Sequence, residues 1–191
     1  GQDLDLFYPL LSDYETFVRP IVFEELGLSK PTTPQNDYEL WQRAKKVYDW
    51  ISDNYAYCGD RGLRVGSTFS QFQFFSPDEL LSVDNNLCGD CDDFATLFAG
   101  MLYSSGVSSS DVYMVCGQVD QGGHCWNNII IDDQTYVIDP VCSMKTQLFN
   151  LFGFTWSKQT TEFPDSFGDV ICLDNYVPDT IMNYKEIKEI K

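Results

Sequence analysis

One stretch restricts the fold of this chain more than any other: residues 87–106, LCGDCDDFATLFAGMLYSSG. From Phe94 onward the apolar residues Phe94, Ala95, Leu97, Phe98, Met101 and Leu102 recur at spacings of three and four, which predicts an α-helix with one wide buried face. Gly106 is the stop. Gly89 or Asp90 serves as N-cap, and Asp92 and Asp93 fall in the first turn, where carboxylates favour the positive end of the helix dipole. Cys91 therefore opens the helix. Unpaired backbone N–H groups and the dipole favour the thiolate there, the nucleophilic form of a group whose free pKa is about 8.5. The carboxylates of Asp90, Asp92 and Asp93 push the other way, so a base must come from elsewhere in the chain.

Around this helix the chain divides into a helical first part and a stranded second part. Residues 3–28 mix Leu, Tyr, Phe and acids around Pro9 and Pro20, which predicts two short helical pieces. Thr33 and Pro34 form an N-cap and first-position pair for a second helix, in which Leu40, Trp41, Ala44, Val47, Tyr48 and Ile51 keep helical spacing to about Asn54. Residues 58–75 are glycine-rich and then aromatic without a period, a surface loop bordering a cleft. Ser76-Pro77-Asp78-Glu79 starts a short helix that buries Leu80 and Leu81.

After Gly106 the period changes to two. Val112–Cys116 is a strand, residues 120–123 a turn, His124–Ile131 a second strand, residues 132–134 a turn, and Thr135–Asp139 a third strand ended by Pro140. Three strands on short turns form an antiparallel meander, and the fold class is α+β. Beyond Cys142 the signals are mixed: residues 146–152 read as a helical turn, 170–173 as a short strand, and 181–191 as either helix or strand.

His124 is the only histidine in the chain, so a Cys91 imidazole partner has one identity. It follows Gly122-Gly123, a turn that leaves its ring accessible; Trp126 shares its face of the strand, and Cys125 faces the other way. Asp139 ends the neighbouring strand 15 residues later, a spacing suited to adjacent antiparallel strands, and its carboxylate orients the imidazole. Nucleophile, base and orienter are the parts of acyl transfer. The backbone N–H of Cys91, at a helix N-terminus, is an oxyanion donor.

Cys91-Asp92-Asp93-Phe94-Ala95 leading into a leucine-containing helix and Ser105-Gly106-Val107, then Gly123-His124-Cys125-Trp126, then Tyr136-Val137-Ile138-Asp139-Pro140, resembles the transglutaminase-like superfamily over roughly residues 40–141. The resemblance implies a papain-like core: a central helix bearing Cys91 packed on an antiparallel sheet bearing His124 and Asp139, working as a triad with no metal and no cofactor. It further implies Tyr57, or equally Tyr55, on the oxyanion side of the pocket, and Trp126 packing against the triad. Members cross-link glutamine to amines, hydrolyse peptide, isopeptide or glycan-amide bonds, or have lost the chemistry. The implied partners are peptide, protein or cell-wall amides. A small chain without the β-sandwich domains of animal transglutaminases fits a compact hydrolase better than a calcium-regulated cross-linker. On this reading residues 1–34 are a helical extension, 35–141 the catalytic core and 142–191 its completion, in one domain. Two departures stand out: Cys88 places a second thiol three residues before Cys91, a possible redox partner, and Val141 follows Asp-Pro where a hydroxyl residue is frequent.

Other classes fit less well. A catalytically silent module of the same fold is the main alternative. A Cys88/Cys91 redox pair lacks the preceding strand and βαβ context. Zinc held by Cys88, Cys91, His124 and Cys125 has the right atoms, but adjacent residues of a strand face opposite ways. A net charge of −17 without clustered Lys and Arg excludes nucleic acid and disfavours an anionic membrane surface. The acidic residues are scattered, as on a solvated surface. No apolar run approaches the ~20 residues of a membrane span, so no insertion is expected. With 43% hydrophobic residues in 191, the core does not depend on disulfides, yet seven cysteines favour an exported protein whose leader has been removed, with at least one thiol free.

Overall fold

The computed structural model describes residues 18–57, 88–143, 145–150, 153–158 and 161–190. In chain order these form α1 (Arg19–Leu26), α2 (Asp37–Asn54), β1 (Ala56–Tyr57), β2 (Cys88–Gly89), α3 (Cys91–Ser105), β3 (Val112–Val119), β4 (Gly122–Ile131), β5 (Gln134–Ile138), a 3-10 turn (Pro140–Ser143), β6 (Lys145–Asn150), β7 (Gly153–Lys158), β8 (Val177–Met182) and β9 (Ile187–Glu189). The class is α+β, as the periodicities predict. The expected helical piece before residue 18, the loop at 58–75 and the helix start at 76–79 lie outside the described residues.

Helix α3 is the predicted central helix, with Asp90 as N-cap and Gly106 in the left-handed conformation at its end. Its start is tied by the Asp90 N–H, which donates to Asp93 Oδ2 at 3.1 Å. Its environment differs from the expected single buried face: every residue from Asp92 to Ser105 is buried. The reason is that α1 and α2 cover one side while β3 and β4 cover the other. Phe94, Leu97, Phe98 and Leu102 are wholly inaccessible, each contributing about 1.5–3 kcal/mol by burial. Arg43 of α2 secures the far end. Its Nη1 donates to Ser105 O at 2.9 Å and Thr32 O at 2.6 Å, and its Nη2 to Glu39 Oε1 at 2.5 Å. Gly106 adopts φ +100°, and a Cβ there would stand 2.6 Å from the Thr32 backbone.

Helix α2 begins three residues later than Thr33-Pro34 suggests. Asn36 is the N-cap, its Oδ1 accepting the Glu39 N–H at 2.9 Å, while Glu39 Oε2 accepts the Gln35 N–H at 2.7 Å. The reciprocal pair satisfies two otherwise orphaned donors; Thr33 has Asn36, not Glu or Gln, three residues on, whereas Asn36 has Glu39.

The meander grows into a five-stranded antiparallel sheet of order β5-β4-β3-β8-β9. Asp132 and Asp133 close β4 to β5 as a two-residue turn with φ of 49° and 60°, the geometry that matches strand twist. Gly122 and Gly123 belong to β4 rather than to the preceding turn, since Val119 already pairs with Gly122. Of residues 146–152, expected as a helical turn, 146–150 instead belong to β6, which pairs in parallel with β1 and forms a hairpin with β7, while 151–152 lie outside the described residues; the second sheet runs β2-β1-β6-β7. Residues 170–173 make only a single bridge, Ile138 to Val170. The open choice at 181–191 resolves to strand in β8 and β9. Among the described residues no helix is long and apolar enough to cross a membrane.

Candidate functional site

Strand β4 carries His124 opposite Gly117 of β3, and Asp139 follows β5 immediately after Ile138, the partner of Asn127. The register brings the two side chains together: His124 Nε2 lies 2.7 Å from Asp139 Oδ2. Since an ionised carboxylate only accepts, the proton in this bond sits on Nε2 of the neutral ring, which leaves the Nδ1 lone pair for a proton from elsewhere. Asp139 is wholly buried, and its other contacts account for its position. Oδ1 accepts the Val141 N–H at 3.0 Å, Oδ2 also accepts the Tyr176 hydroxyl at 2.8 Å, and the backbone N–H bonds Val170 O at 2.9 Å.

The imidazole is not accessible in the way a glycine turn suggests. His124 is 8% exposed, because the Trp126 ring lies nearly parallel to it at 6.3 Å and the Tyr176 ring meets it edge-on at 6.1 Å. Trp126, buried to 1% exposure, packs against the histidine as expected.

Cys91 is the first residue of α3, half-buried, and the free thiol among the described residues. Since α3 packs on β4, its sulfur meets the chain next to His124: the backbone N–H of Cys125 is directed at it and favours the thiolate. Larger effects oppose that one. Burial first, then the charges of Asp90 and Asp92, push the Cys91 thiol well above its ordinary value, so it rests protonated. Asp92 is itself held in its acid form by burial and by its contact with Asp90. Asp90 Oδ1 and Asp92 Oδ2 are both buried and receive no hydrogen bond from the described residues. The ligand atoms of Asp90, Cys91 and Asp92 lie within 4.8 Å of one another, close enough to hold a cation; the other such set among the described residues, Asp139, Cys142 and Cys172, has both its cysteines in a disulfide.

Of the two candidate tyrosines the structure places Tyr57 beside the thiol. Parallel pairing of Tyr57 with Gly89 sets it next to the strand that leads into Cys91. Burial first, then the nearness of the ionisable groups of Cys91 and Asp90, pushes its phenol up to about 12. Tyr55 points into the core, edge-on to Phe94 at 5.8 Å and to Trp50 at 5.9 Å. The side chain of Cys88 lies outside the described residues.

Four further cysteines form the bridges Cys116–Cys125 and Cys142–Cys172. The first removes Cys125 from any zinc set. Tyr176 is a site residue that no sequence pattern pointed to, since it lies in an aperiodic segment 37 residues beyond its partner Asp139.

Residues 30–160 match the family described as the transglutaminase-like domain. No curated protein sequence matches the chain. Among solved structures, Legionella pneumophila LapG superposes with a TM-score of 0.51 at 14% identity, covering 97% of this chain and 86% of that one. An EGTA-treated form of the same protein gives 0.48 at 17% identity over 82% and 80%. A candidate cysteine protease from Cytophaga hutchinsonii gives 0.44 at 18% identity, over 78% of this chain and 45% of the other. The first of these likenesses shows a shared fold.

Proposed function

This chain belongs to the transglutaminase-like domain family, and from that premise we propose that it is a cysteine amidohydrolase or acyltransferase acting on an amide or isopeptide bond of a peptide, protein or cell-wall substrate. The observation that carries the reading is the buried His124–Asp139 pair at 2.7 Å on the strand against which the free thiol of Cys91 packs.

The chemistry follows from the resting charges. A protonated thiol is a poor nucleophile, so attack is coupled to proton transfer: His124 Nδ1 takes the S–H proton as the sulfur bonds to the carbonyl carbon. Asp139, fixed by its three donors, stabilises the imidazolium and keeps the ring oriented. The oxyanion receives the Cys91 N–H at the start of α3 and the Tyr57 hydroxyl, which keeps its proton at neutral pH. The C–N bond breaks, the amine leaves with the proton from His124, and a thioester remains on Cys91. Water resolves it to an acid, or an acceptor amine to a new amide.

An activated ester tests the first half without knowledge of the natural substrate. Incubation with p-nitrophenyl acetate, followed by peptide mass spectrometry, is expected to place one acetyl group on Cys91. Acetylation slows by about 10²–10⁴-fold in His124→Ala, the usual contribution of a positioned base. Acetyl groups scattered over lysines and other residues, or Cys91 acetylated at an unchanged rate in His124→Ala, would overturn the proposal in favour of a silent module of this fold.

A further inference from the structure

Tyr176 lies outside every motif that the sequence offers, yet it shares an acceptor atom with the histidine. Its hydroxyl donates to Asp139 Oδ2 at 2.8 Å, the oxygen that His124 Nε2 reaches at 2.7 Å, while Val141 N–H holds the opposite oxygen at 3.0 Å. Resting on the proposed acyl-transfer reading, we propose that Tyr176 is a positioning residue for the His124–Asp139 pair, held in place by the Cys142–Cys172 disulfide.

The first part of the argument is valence. A carboxylate oxygen has two lone pairs, and in a wholly buried residue each wants a donor. With His124 and Tyr176 on Oδ2 and Val141 on Oδ1, the plane of the carboxylate is fixed by three donors from three different segments. Tyr176 also packs edge-on against Trp126 at 5.2 Å, so one side chain braces both rings of the β4 face. Removing the hydroxyl leaves His124 as the single donor to Oδ2, and the charge of that oxygen is no longer shared.

The second part is how an aperiodic loop delivers a hydroxyl so accurately. The bridge joins the two sequence neighbourhoods of the hydrogen bond: Cys142 lies three residues after Asp139, and Cys172 four residues before Tyr176. The Cys142 N–H further bonds Asp139 O at 3.1 Å, and the Cys172 N–H approaches the Tyr176 hydroxyl at 3.5 Å. Between the cysteine and the tyrosine, the loop is pinned to the β3–β4 turn. Asp120 N–H donates to Asp174 O at 3.2 Å, and Asn175, at φ 57°, donates from Nδ2 to Asp120 Oδ1 at 2.8 Å. Just past the tyrosine, β8 closes on β3 where the register shifts between Cys116 and Gly117. A Cβ on Gly117 would stand 2.1 Å from Val177 O, so this close approach requires glycine opposite His124.

The single histidine makes the test direct. In the low-field ¹H spectrum of ¹⁵N-labelled protein, the ring Nε2–H bonded to Asp139 can come only from His124. Tyr176→Phe keeps the ring and deletes the hydroxyl. The expected result is a downfield move of that resonance in a protein whose backbone amide spectrum is otherwise native, because an oxygen relieved of one donor accepts more strongly from the other. An unmoved resonance would overturn the assignment. The second variant, C142S/C172S, keeps the hydroxyl and cuts the bridge. It is expected to move the resonance in the same direction, and to add nothing in the Tyr176→Phe background, the non-additivity of residues that act through one another. An equal added shift in that background would refute the role given to the disulfide. The spectrum needs no substrate, so a wild-type protein that fails to acylate Cys91 defeats the proposed function while this result is still read.

Discussion

The charge beside the Cys91 thiol is the effect whose removal is most revealing. Asp90 and Asp92 flank Cys91, their ligand atoms within 4.8 Å of its sulfur, and negative charge on this carboxyl pair opposes the thiolate. Either single substitution leaves a carboxyl group that can still carry that charge. The double variant D90N/D92N removes it, and Asn at the N-cap retains a good cap. At 4.8 Å one unit charge contributes about 0.9 kcal/mol in a water-like medium and about 3.5 kcal/mol at an effective dielectric of about 20. Divided by about 1.4 kcal/mol per unit, this lowers the thiol midpoint by roughly 0.6 to 2.5 pH units. The assay is the rate of iodoacetamide alkylation at Cys91 against pH, read by peptide mass spectrometry with a chelator present. The midpoint, not the rate at one pH, is the quantity to compare, because a less basic thiolate is also intrinsically less nucleophilic, with a Brønsted slope of about 0.4–0.5. An unchanged or higher midpoint would mean that burial alone holds the thiol protonated, and the electrostatic account of the site would fail.

Two stability predictions concern buried ionisable groups, Arg43 and Asp92. Arg43→Met leaves Ser105 O and Thr32 O without their guanidinium donor, while Glu39, about a third exposed, recovers water. A loss of about 2–3 kcal/mol in chemical denaturation is expected, discounted from the buried-pair range for that exposure; a loss under about 0.5 kcal/mol would show that the far end of α3 is held by other contacts. For Asp92, burial raises the folded pKa above the unfolded value of 3.8. The folded state therefore binds a proton that the unfolded chain has released, and stability falls as pH rises above about 4 by at most about 1.4 kcal/mol per unit. Asp92→Asn is expected to flatten that slope in denaturation midpoints between pH 5 and 8, and equal slopes in both proteins would refute the buried acid.

What the sequence states locally, the fold keeps. Helix α3 follows from apolar spacing between Asp90 and Gly106, and β4 to β5 from two aspartates that tolerate positive φ. The triad candidates follow from a single histidine and the register that Asp139 shares with β4. What depends on distant partners is not written locally. Residues 145–150 become a strand because β1, almost ninety residues earlier, offers an edge. The cap at Asn36 is the exception, a local signal: Asn36 with Glu39 three residues on is a capping pattern that the Thr33-Pro34 reading overlooks. Cysteine pairing has no sequence rule, and the cover over His124 comes from Tyr176, whose segment has no period to read.

That division bears on the chemistry. Sequence alone sets the carboxylates of α3 against a reactive thiolate, a conflict if the thiolate must pre-exist. The structure removes the need for it: Cys91 rests as a thiol, Asp92 as an acid, and Asp139 beside the histidine is held by three donors. In the proposed reaction, charge then separates only when a carbonyl carbon is present to receive the sulfur, and His124 Nδ1 takes up the displaced proton. On that proposal the acidic first turn of α3, by disfavouring the thiolate, is expected to slow alkylation and oxidation of an idle thiol while leaving proton-coupled attack open, because in that step the negative charge passes to the oxyanion and does not stay on sulfur.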